Sequence, residues 1–265
     1  MFGKNKLAKK VDGDGLSLSV QDIFSTIQGE GPFAGRPAIF LRLAGCNLAC
    51  YFCDTDFESK AKDTSVDAIV KQVEMMAGRG KVVRTNLVVV TGGEPMRQNI
   101  HPLCQQLIRL GYQVQIETAG TLWVRHLEHL VTTGWLTIVC SPKTGKVDPM
   151  IATYCHDWKY LIQQDQVDEK DGLPNRSTQI RGHAQNLYRP DMSISNQTIW
   201  LQPCEAYKID TQLTAWERFG TSDQDKTNTV RDVPQSDRNT ALAAYLAMKY
   251  NYRISIQVHK LLHLP

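Results

Sequence analysis

The sequence predicts an α/β fold, a partial six-unit β/α barrel carrying one polar insertion. Three observations predict it. Short apolar runs alternate with segments of helical periodicity, which implies right-handed βαβ units and a parallel sheet. The chain has 265 residues, which suits six such units better than eight. Nearly every unusual polar or glycine-rich stretch follows a predicted strand, at the end where parallel α/β folds bind ligands.

The elements follow in chain order. Ala38–Leu43 reads as the first buried strand. From Val66, apolar residues recur at Ile69, Val70, Val73 and Met76, the spacing of a helix, and Ser65 suits its N-cap. Leu87–Val90 is a continuous apolar run, the pattern of a strand buried on both faces. Asn99 can cap a helix carrying Leu103, Leu107 and Leu110. Val114–Glu117 and Leu136–Cys140 are the third and fourth strands, with a helix through Leu127 and Leu130 between them. Trp158–Ile162 and Ile199–Leu201 are the fifth and sixth. Asn239–Tyr250 reads as a helix and Arg253–Val258 as an edge strand. The segments that follow strands are Ala44–Asp56, Thr91–Pro95, Thr118–Thr121, Ser141–Lys143 and Gln202–Glu205, so their loops converge on one rim.

Residues 1–19 form a polar tail with Lys4, Lys6, Lys9 and Lys10, expected to be poorly ordered. Residues 20–265 are expected to form a single domain, interrupted by a polar surface insertion at 164–197 and a similar stretch at 219–235. The net charge of +3 is too small to argue for nucleic acid. No apolar run approaches a membrane span and no secretory leader is evident, so no membrane partner and a cytoplasmic location are expected. Seven cysteines without an export signal fit a reducing compartment rather than a disulfide framework.

Three of those cysteines carry the chemistry. Ala44-Gly45-Cys46-Asn47-Leu48-Ala49-Cys50-Tyr51-Phe52-Cys53 places three thiolates at CxxxCxxC spacing. Four thiolates would close an iron–sulfur cluster; three leave one iron of a 4Fe–4S cluster open. An open iron can chelate the amino and carboxylate groups of S-adenosylmethionine, and an electron from the cluster then releases a 5′-deoxyadenosyl radical. A structural zinc site wants four ligands, and His101, Cys104 or Cys155 could supply the fourth only by accident of folding. Three inert core cysteines are a further alternative. Cys104 and Cys140 lie on apolar stretches and read as packing, while Cys204 falls on the rim.

With Thr91-Gly92-Gly93-Glu94-Pro95 after the second strand, the chain resembles the radical S-adenosylmethionine superfamily. More closely, it resembles the 7-carboxy-7-deazaguanine synthase family, of the queuosine and 7-deazapurine route. The stretches that carry this include Ile23-Phe24-Ser25-Thr26-Ile27-Gln28-Gly29-Glu30-Gly31, Gly35-Arg36-Pro37-Ala38, Cys53-Asp54-Thr55-Asp56, Ile116-Glu117-Thr118, Ser141-Pro142-Lys143, Leu201-Gln202-Pro203 and Gln257-Val258-His259-Lys260. The resemblance implies a partial (β/α)6 barrel of the radical SAM type. It also implies conversion of 6-carboxy-5,6,7,8-tetrahydropterin to 7-carboxy-7-deazaguanine with loss of ammonia, using a 4Fe–4S cluster, S-adenosylmethionine and Mg²⁺. It further implies a pterin substrate, an electron-donor protein of flavodoxin or ferredoxin type, and a homodimer. A different radical enzyme, such as a glycyl-radical activase, would share the cysteine triad but not the Gln-Gly-Glu-Gly entry.

Residue roles follow from the same resemblance. It places S-adenosylmethionine at Gly93, Glu94, Glu117, Ser141, Pro142, Lys143, Gln202, Pro203, Cys204 and Glu205. It places the pterin at Ile27, Gln28, Gly29, Glu30, Arg42, Thr91 and Pro265, Mg²⁺ at Thr55, and the cluster on Cys46, Cys50 and Cys53. Several have a plainer reading. The glycine pair can be only a tight turn, Glu117 a surface carboxylate, Ser141-Pro142-Lys143 a turn, Arg42 a structural ion pair and Thr55 a loop cap.

Overall fold

The computed structural model describes residues 6–53, 55–77, 84–179, 186–209 and 229–264. Its strands are β1 (Ser17–Ile27), β2 (Pro37–Leu43), β3 (Lys62–Ser65), β4 (Leu87–Gly92), β5 (Gln113–Thr118), β6 (Leu136–Cys140), β7 (Asp157–Ile162), β8 (Thr198–Pro203), β9 (Tyr207–Ile209), β10 (Thr229–Arg231) and β11 (Arg253–Ile254). Its α-helices are α1 (Val66–Met76), α2 (His101–Arg109), α3 (Leu127–Thr132), α4 (Pro149–Tyr154), α5 (Val233–Tyr250) and α6 (Val258–Leu261). One nine-stranded sheet runs in the order β11-β8-β7-β6-β5-β4-β2-β1-β3. From β2 to β11 the neighbours are parallel, and β1 and β3 add an antiparallel edge. The sheet is open, as a partial barrel requires. The six expected strands are β2, β4, β5, β6, β7 and β8, in sequence order across it.

Alternation along each strand sends successive side chains to opposite faces. On one face lie Leu41, Val88, Ile116, Ile138, Trp158, Tyr160 and Leu201, all in the main core with helix residues such as Ile69, Leu103 and Leu127. The other face carries Phe40, Arg42, Thr91, Glu117, Lys159 and Gln202, which line a cavity. β4 is the exception that its apolar run predicts. Leu87 through Val90 are fully buried, with Leu87 and Val89 in a small second cluster beside Ala38.

Local signals mostly hold. Ser65 Oγ accepts from Ala68 N at 3.3 Å and caps α1. Asn99 Oδ1 accepts from His101 N at 3.4 Å, but the N-cap is Ile100, and Leu110 is the exposed C-cap rather than a core position. α5 begins earlier than the apolar pattern suggests, because Asp232 Oδ1 caps it by accepting from Gln235 N at 3.2 Å. The expected final strand shrinks to β11, since Ser255 N is drawn to Leu201 O and the chain then turns into α6. β1 was not anticipated. A register shift between Val20 and Asp22 resets its alternation and hides the strand period.

The described part of the expected tail is built into the fold. Ala8 N donates to Cys46 O at 2.7 Å, Val11 N to Arg97 O at 2.8 Å, and β1 already starts at Ser17. The polar insertion is anchored as well. Leu173 and Leu187 join the core, and Arg189 pairs with Asp171 at 2.6 Å. Among the described residues, no helix is long and apolar enough to cross a membrane.

Candidate active site

A cavity of about 430 Å³ lies on the inner face of the sheet, within the range of small-molecule sites. Two sets of loops bound it. The cysteine loop leaves β2 after Leu43, at the C-terminal ends of the parallel strands. The Gln28–Gly31 turn comes from the opposite end, because β1 is antiparallel and Ile27 pairs with Pro37, the first residue of β2. Gly31 N donates to Ser255 Oγ at 3.2 Å, and a Cβ on Gly29 would meet His259 Nδ1 at 2.1 Å. The chain's last described segment therefore packs directly on this turn and floors the cavity.

Cys46, Cys50 and Cys53 all line the cavity, and none of the three is in a disulfide. The four other cysteines divide between the core and the cavity, Cys104, Cys140 and Cys204 as their contexts suggest. Cys104, Cys140 and Cys155 are fully buried in the core, and Cys204 is on the cavity rim. This separates the triad from Cys104, Cys140 and Cys155 but not from Cys204, which shares its cavity. Among the described residues, the grouping whose donor atoms all lie within 4.8 Å is His126, Glu128 and His129, so the three cysteine sulfurs do not all lie that close to one another. A single Zn²⁺, with Zn–S near 2.3 Å, needs its sulfurs at roughly 3.8 Å. A cluster that gives each thiolate its own iron does not require that close an approach. Burial pushes the Cys46 thiol up to about 12, and the charges of Glu94, Cys50 and Cys53 add to it. A cation at the sulfurs would reverse that balance.

The Gly92–Gly93 turn is packed on the cysteine loop. Gly92 has φ +141°, and a Cβ there would meet Leu43 O at 2.1 Å. A Cβ on Gly93 would meet Gly45 O at 2.2 Å and Cys46 Cβ at 2.9 Å. Gly93→Ala is therefore expected to displace Gly45 and Cys46, at a cost of about 1–3 kcal/mol. The check is iron and sulfide content after anaerobic reconstitution; a full complement in the variant would show that the loop can yield. Glu94 is fully buried and does not line the cavity. Its Oε1 accepts from Met96 N at 3.0 Å and Thr118 Oγ1 at 2.8 Å, and its Oε2 from Ala119 N at 2.8 Å. Burial raises its pKa, and these donors oppose the rise. Its carboxylate braces two loops and is not available to a ligand.

The polar residues face one another across the cavity. Arg42 pairs in register with Thr91 on the adjacent strand, its guanidinium lies 5.3 Å from the Phe24 ring centroid, and its Nε is buried without a hydrogen-bond partner. Glu117 accepts from Gln28 Nε2 at 3.0 Å, Gln115 Nε2 at 3.1 Å and Thr91 Oγ1 at 3.2 Å. Those donors fix its orientation beside Gln28 and Thr91. Glu30 is buried, pairs with Lys159 and accepts from Gln257 Nε2 at 2.7 Å. Burial alone would raise its pKa, but Lys159 and Gln257 bring it below the usual value. Lys143 Nζ donates to Ser141 O at 2.8 Å and to Ser141 Oγ, and burial lowers its pKa. Gln202 Oε1 is buried and unpartnered, like Arg42 Nε. At the mouth, Glu205 binds Lys260 at 2.9 Å and Arg231 at 2.8 Å.

Of the residues named from the sequence, Gln28, Glu30, Arg42, Cys46, Cys50, Cys53, Thr55, Thr91, Gly93, Glu117, Ser141, Lys143, Gln202, Pro203, Cys204 and Glu205 line this one cavity. Ile27, Gly29, Glu94 and Pro142 do not; Pro142 lines a small neighbouring recess, and Gly29 has no side chain where His259 packs against it. Pro265 lies outside the described residues. Lys159, Gln257 and His259 also line the cavity and had no assigned role. Lys159 left a signal, a lone cation at an alternate position of the apolar strand Asp157–Ile162.

Comparison with known proteins agrees with this geometry. Residues 41–163 match the family model described as the radical SAM superfamily. A 7-carboxy-7-deazaguanine synthase of Rhodospirillum rubrum is 40% identical over 262 residues, covering 99% of both chains. One from Caulobacter vibrioides is 29% identical, covering 94% of this chain and all of that one. The crystal structure of QueE from Escherichia coli superposes with a TM-score of 0.59 at 22% identity, covering 91% of this chain and 94% of that one, and supports the fold. With a full-length relative at this identity and the three thiolates gathered on the cavity wall, the chain belongs to the 7-carboxy-7-deazaguanine synthase family of radical SAM enzymes.

Proposed function

We propose that this chain converts 6-carboxy-5,6,7,8-tetrahydropterin to 7-carboxy-7-deazaguanine with loss of ammonia. The observation that carries the reading is a single cavity lined by three thiolates and by Gln28, Glu30, Arg42, Thr91 and Glu117. The donor set fits the group it would hold: three soft sulfurs on one cavity wall, beside a glycine turn packed on their loop. When bound, the 4Fe–4S cluster and S-adenosylmethionine supply a carbon radical able to take a hydrogen from the pterin. The protein's own residues do the rest by placement.

Arg42 is suited to the pterin carboxylate, because its buried Nε lacks a partner and a carboxylate accepts from the guanidinium fork in pairs. Glu117, held by three donors, and Glu30, held by Lys159 and Gln257, are acceptors for the amine and ring N–H groups of the pterin edge. Gly93, Ser141, Lys143 and Gln202 to Glu205 are placed for S-adenosylmethionine on the cysteine side. Gln202 Oε1 offers a buried acceptor there. The reading extends to a single domain over 20–265, a cytoplasmic location, a homodimer, and a flavodoxin- or ferredoxin-type electron donor. Seven cysteines, none of them in a disulfide, support the reducing compartment.

Thr55 lines the cavity close to Cys53 and is suited to a shared Mg²⁺ site, since Mg²⁺ takes oxygen ligands from substrate and water as well as protein. Thr55→Ala is then expected to lower turnover roughly tenfold or more, with iron content unchanged and a raised Mg²⁺ requirement. An unaltered Mg²⁺ titration would remove Thr55 from the metal site. The function itself is tested by anaerobic incubation of the reconstituted protein with the carboxytetrahydropterin, S-adenosylmethionine, dithionite and Mg²⁺. Mass spectrometry is expected to find 7-carboxy-7-deazaguanine; S-adenosylmethionine cleavage without that product would point to another radical enzyme.

A further inference from the structure

We infer that Thr178 and Gln179, within the polar insertion, are positioning residues that tune the reduction potential of a cluster held through Cys50. The inference rests on the cluster reading above. It starts from a short strap of chain laid along the cysteine loop. Gln179 and Cys50 form an isolated antiparallel bridge, and Tyr51 N donates to Thr178 O at 3.0 Å. The side chains add to the backbone pairing. Gln179 Oε1 accepts from Ala49 N at 2.9 Å, its Nε2 donates to Cys50 Sγ at 3.3 Å, and Thr178 Oγ1 lies 3.1 Å from the same sulfur. Thr178 is 7% exposed, and Gln179 and Cys50 are half-buried.

The strap's other side is fixed to the loop proposed for S-adenosylmethionine. Lys143 O accepts from Thr178 N at 3.1 Å and from Ser177 Oγ at 3.2 Å. Thr178 Oγ1 is also within 3.3 Å of that carbonyl, but the carbonyl already has two donors. A thiolate on iron carries no proton, so between it and Thr178 the hydroxyl must be the donor. Gln179 Nε2 has two hydrogens, enough for both Cys50 Sγ and Thr178 Oγ1, which lies 3.2 Å away. Cys50 thus faces two side-chain donors aimed at its sulfur. Donors to a cluster's sulfurs favour the reduced, more negative state and raise its potential. The strap therefore couples the electron acceptor to the Lys143 loop through two adjacent residues.

The test is an EPR-monitored redox titration of anaerobically reconstituted protein, with iron and sulfide assayed on each sample. Thr178→Val and Gln179→Leu are each expected to move the midpoint to more negative potential, and the double variant further. Thr178→Ser keeps the hydroxyl and is expected to retain the native midpoint. Unshifted midpoints in both single variants, or a Thr178→Ser shift equal to that of Thr178→Val, would overturn the inference. Should Thr178→Val lose iron, retention by Thr178→Ser would support the hydroxyl's hold on Cys50, and loss from both would refute it. A native chain that reconstitutes without iron and sulfide would instead sink the cluster reading itself.

Discussion

Replacing Cys46, Cys50 or Cys53 by Ala is expected to abolish product formation, with iron falling well below the native complement. Each thiolate would hold a different iron, so no remaining ligand can substitute for the one removed. The three sulfurs share one cavity wall; Cys104, Cys140 and Cys155 are out of reach, fully buried on the helix-facing side of the sheet, while Cys204 lines the same cavity from the rim loop after β8. Cys104→Ala is the matched control. It removes a sulfur from contact with the core around Leu103 and Leu107 and should cost about 1–2 kcal/mol of stability. Its iron content and turnover should stay native below its melting transition. The assays are iron and sulfide content, visible absorption, product yield and thermal melting. A Cys104→Ala chain that loses iron while Cys50→Ala keeps it would reverse the ligand assignment.

Arg42→Ala is expected to act on substrate binding and hardly at all on folding. The usual structural role for a buried arginine is an ion pair, and its loss would strand a partner at a cost of several kcal/mol. Among the described residues Arg42 has no ion pair: its Nε is buried and unpartnered, and its guanidinium lies over the Phe24 ring. Removing it strands nothing in the ligand-free protein. In the complex, charge-assisted hydrogen bonds to a carboxylate are worth roughly 1.5–3 kcal/mol, or about 10- to 150-fold in kcat/KM. The change should appear mainly in KM for the carboxytetrahydropterin, with the S-adenosylmethionine KM close to native. Arg42→Lys should recover only part, because one ammonium cannot reproduce the planar fork. A large drop in melting temperature with unchanged KM would return Arg42 to a structural role.

Much of this protein was legible in one dimension. The six parallel strands have continuous or alternating apolar runs, because a sheet covered by helices on one face cannot hide its pattern. The cysteine triad and the Gly92–Gly93 turn were legible for a related reason: their spacing is local, so no fold is needed to bring them together. The glycines' contacts explain the residue type, since a Cβ at either position would collide with the backbone of the cysteine loop.

Other features depended on contacts between distant residues. β1 was hidden by a register shift, and with it the fact that Gln28 and Glu30 reach the cavity from the end opposite the cysteines. Glu94 looked like a ligand contact from its motif. Only the fold brings Thr118 and Ala119 to its carboxylate and turns it into a brace. Lys159 became Glu30's partner across 129 positions of sequence, and the polar insertion became a strap on Cys50 across 128. Composition marked that insertion as surface, because polar side chains are read as solvated unless a partner is known. What the sequence by itself determined was therefore the parallel sheet, the three thiolates and the turn beside them, each set by local spacing. The tertiary structure decided which polar groups face the cavity and which spend their hydrogen bonds on the protein, because burial makes every polar atom's partner a long-range choice.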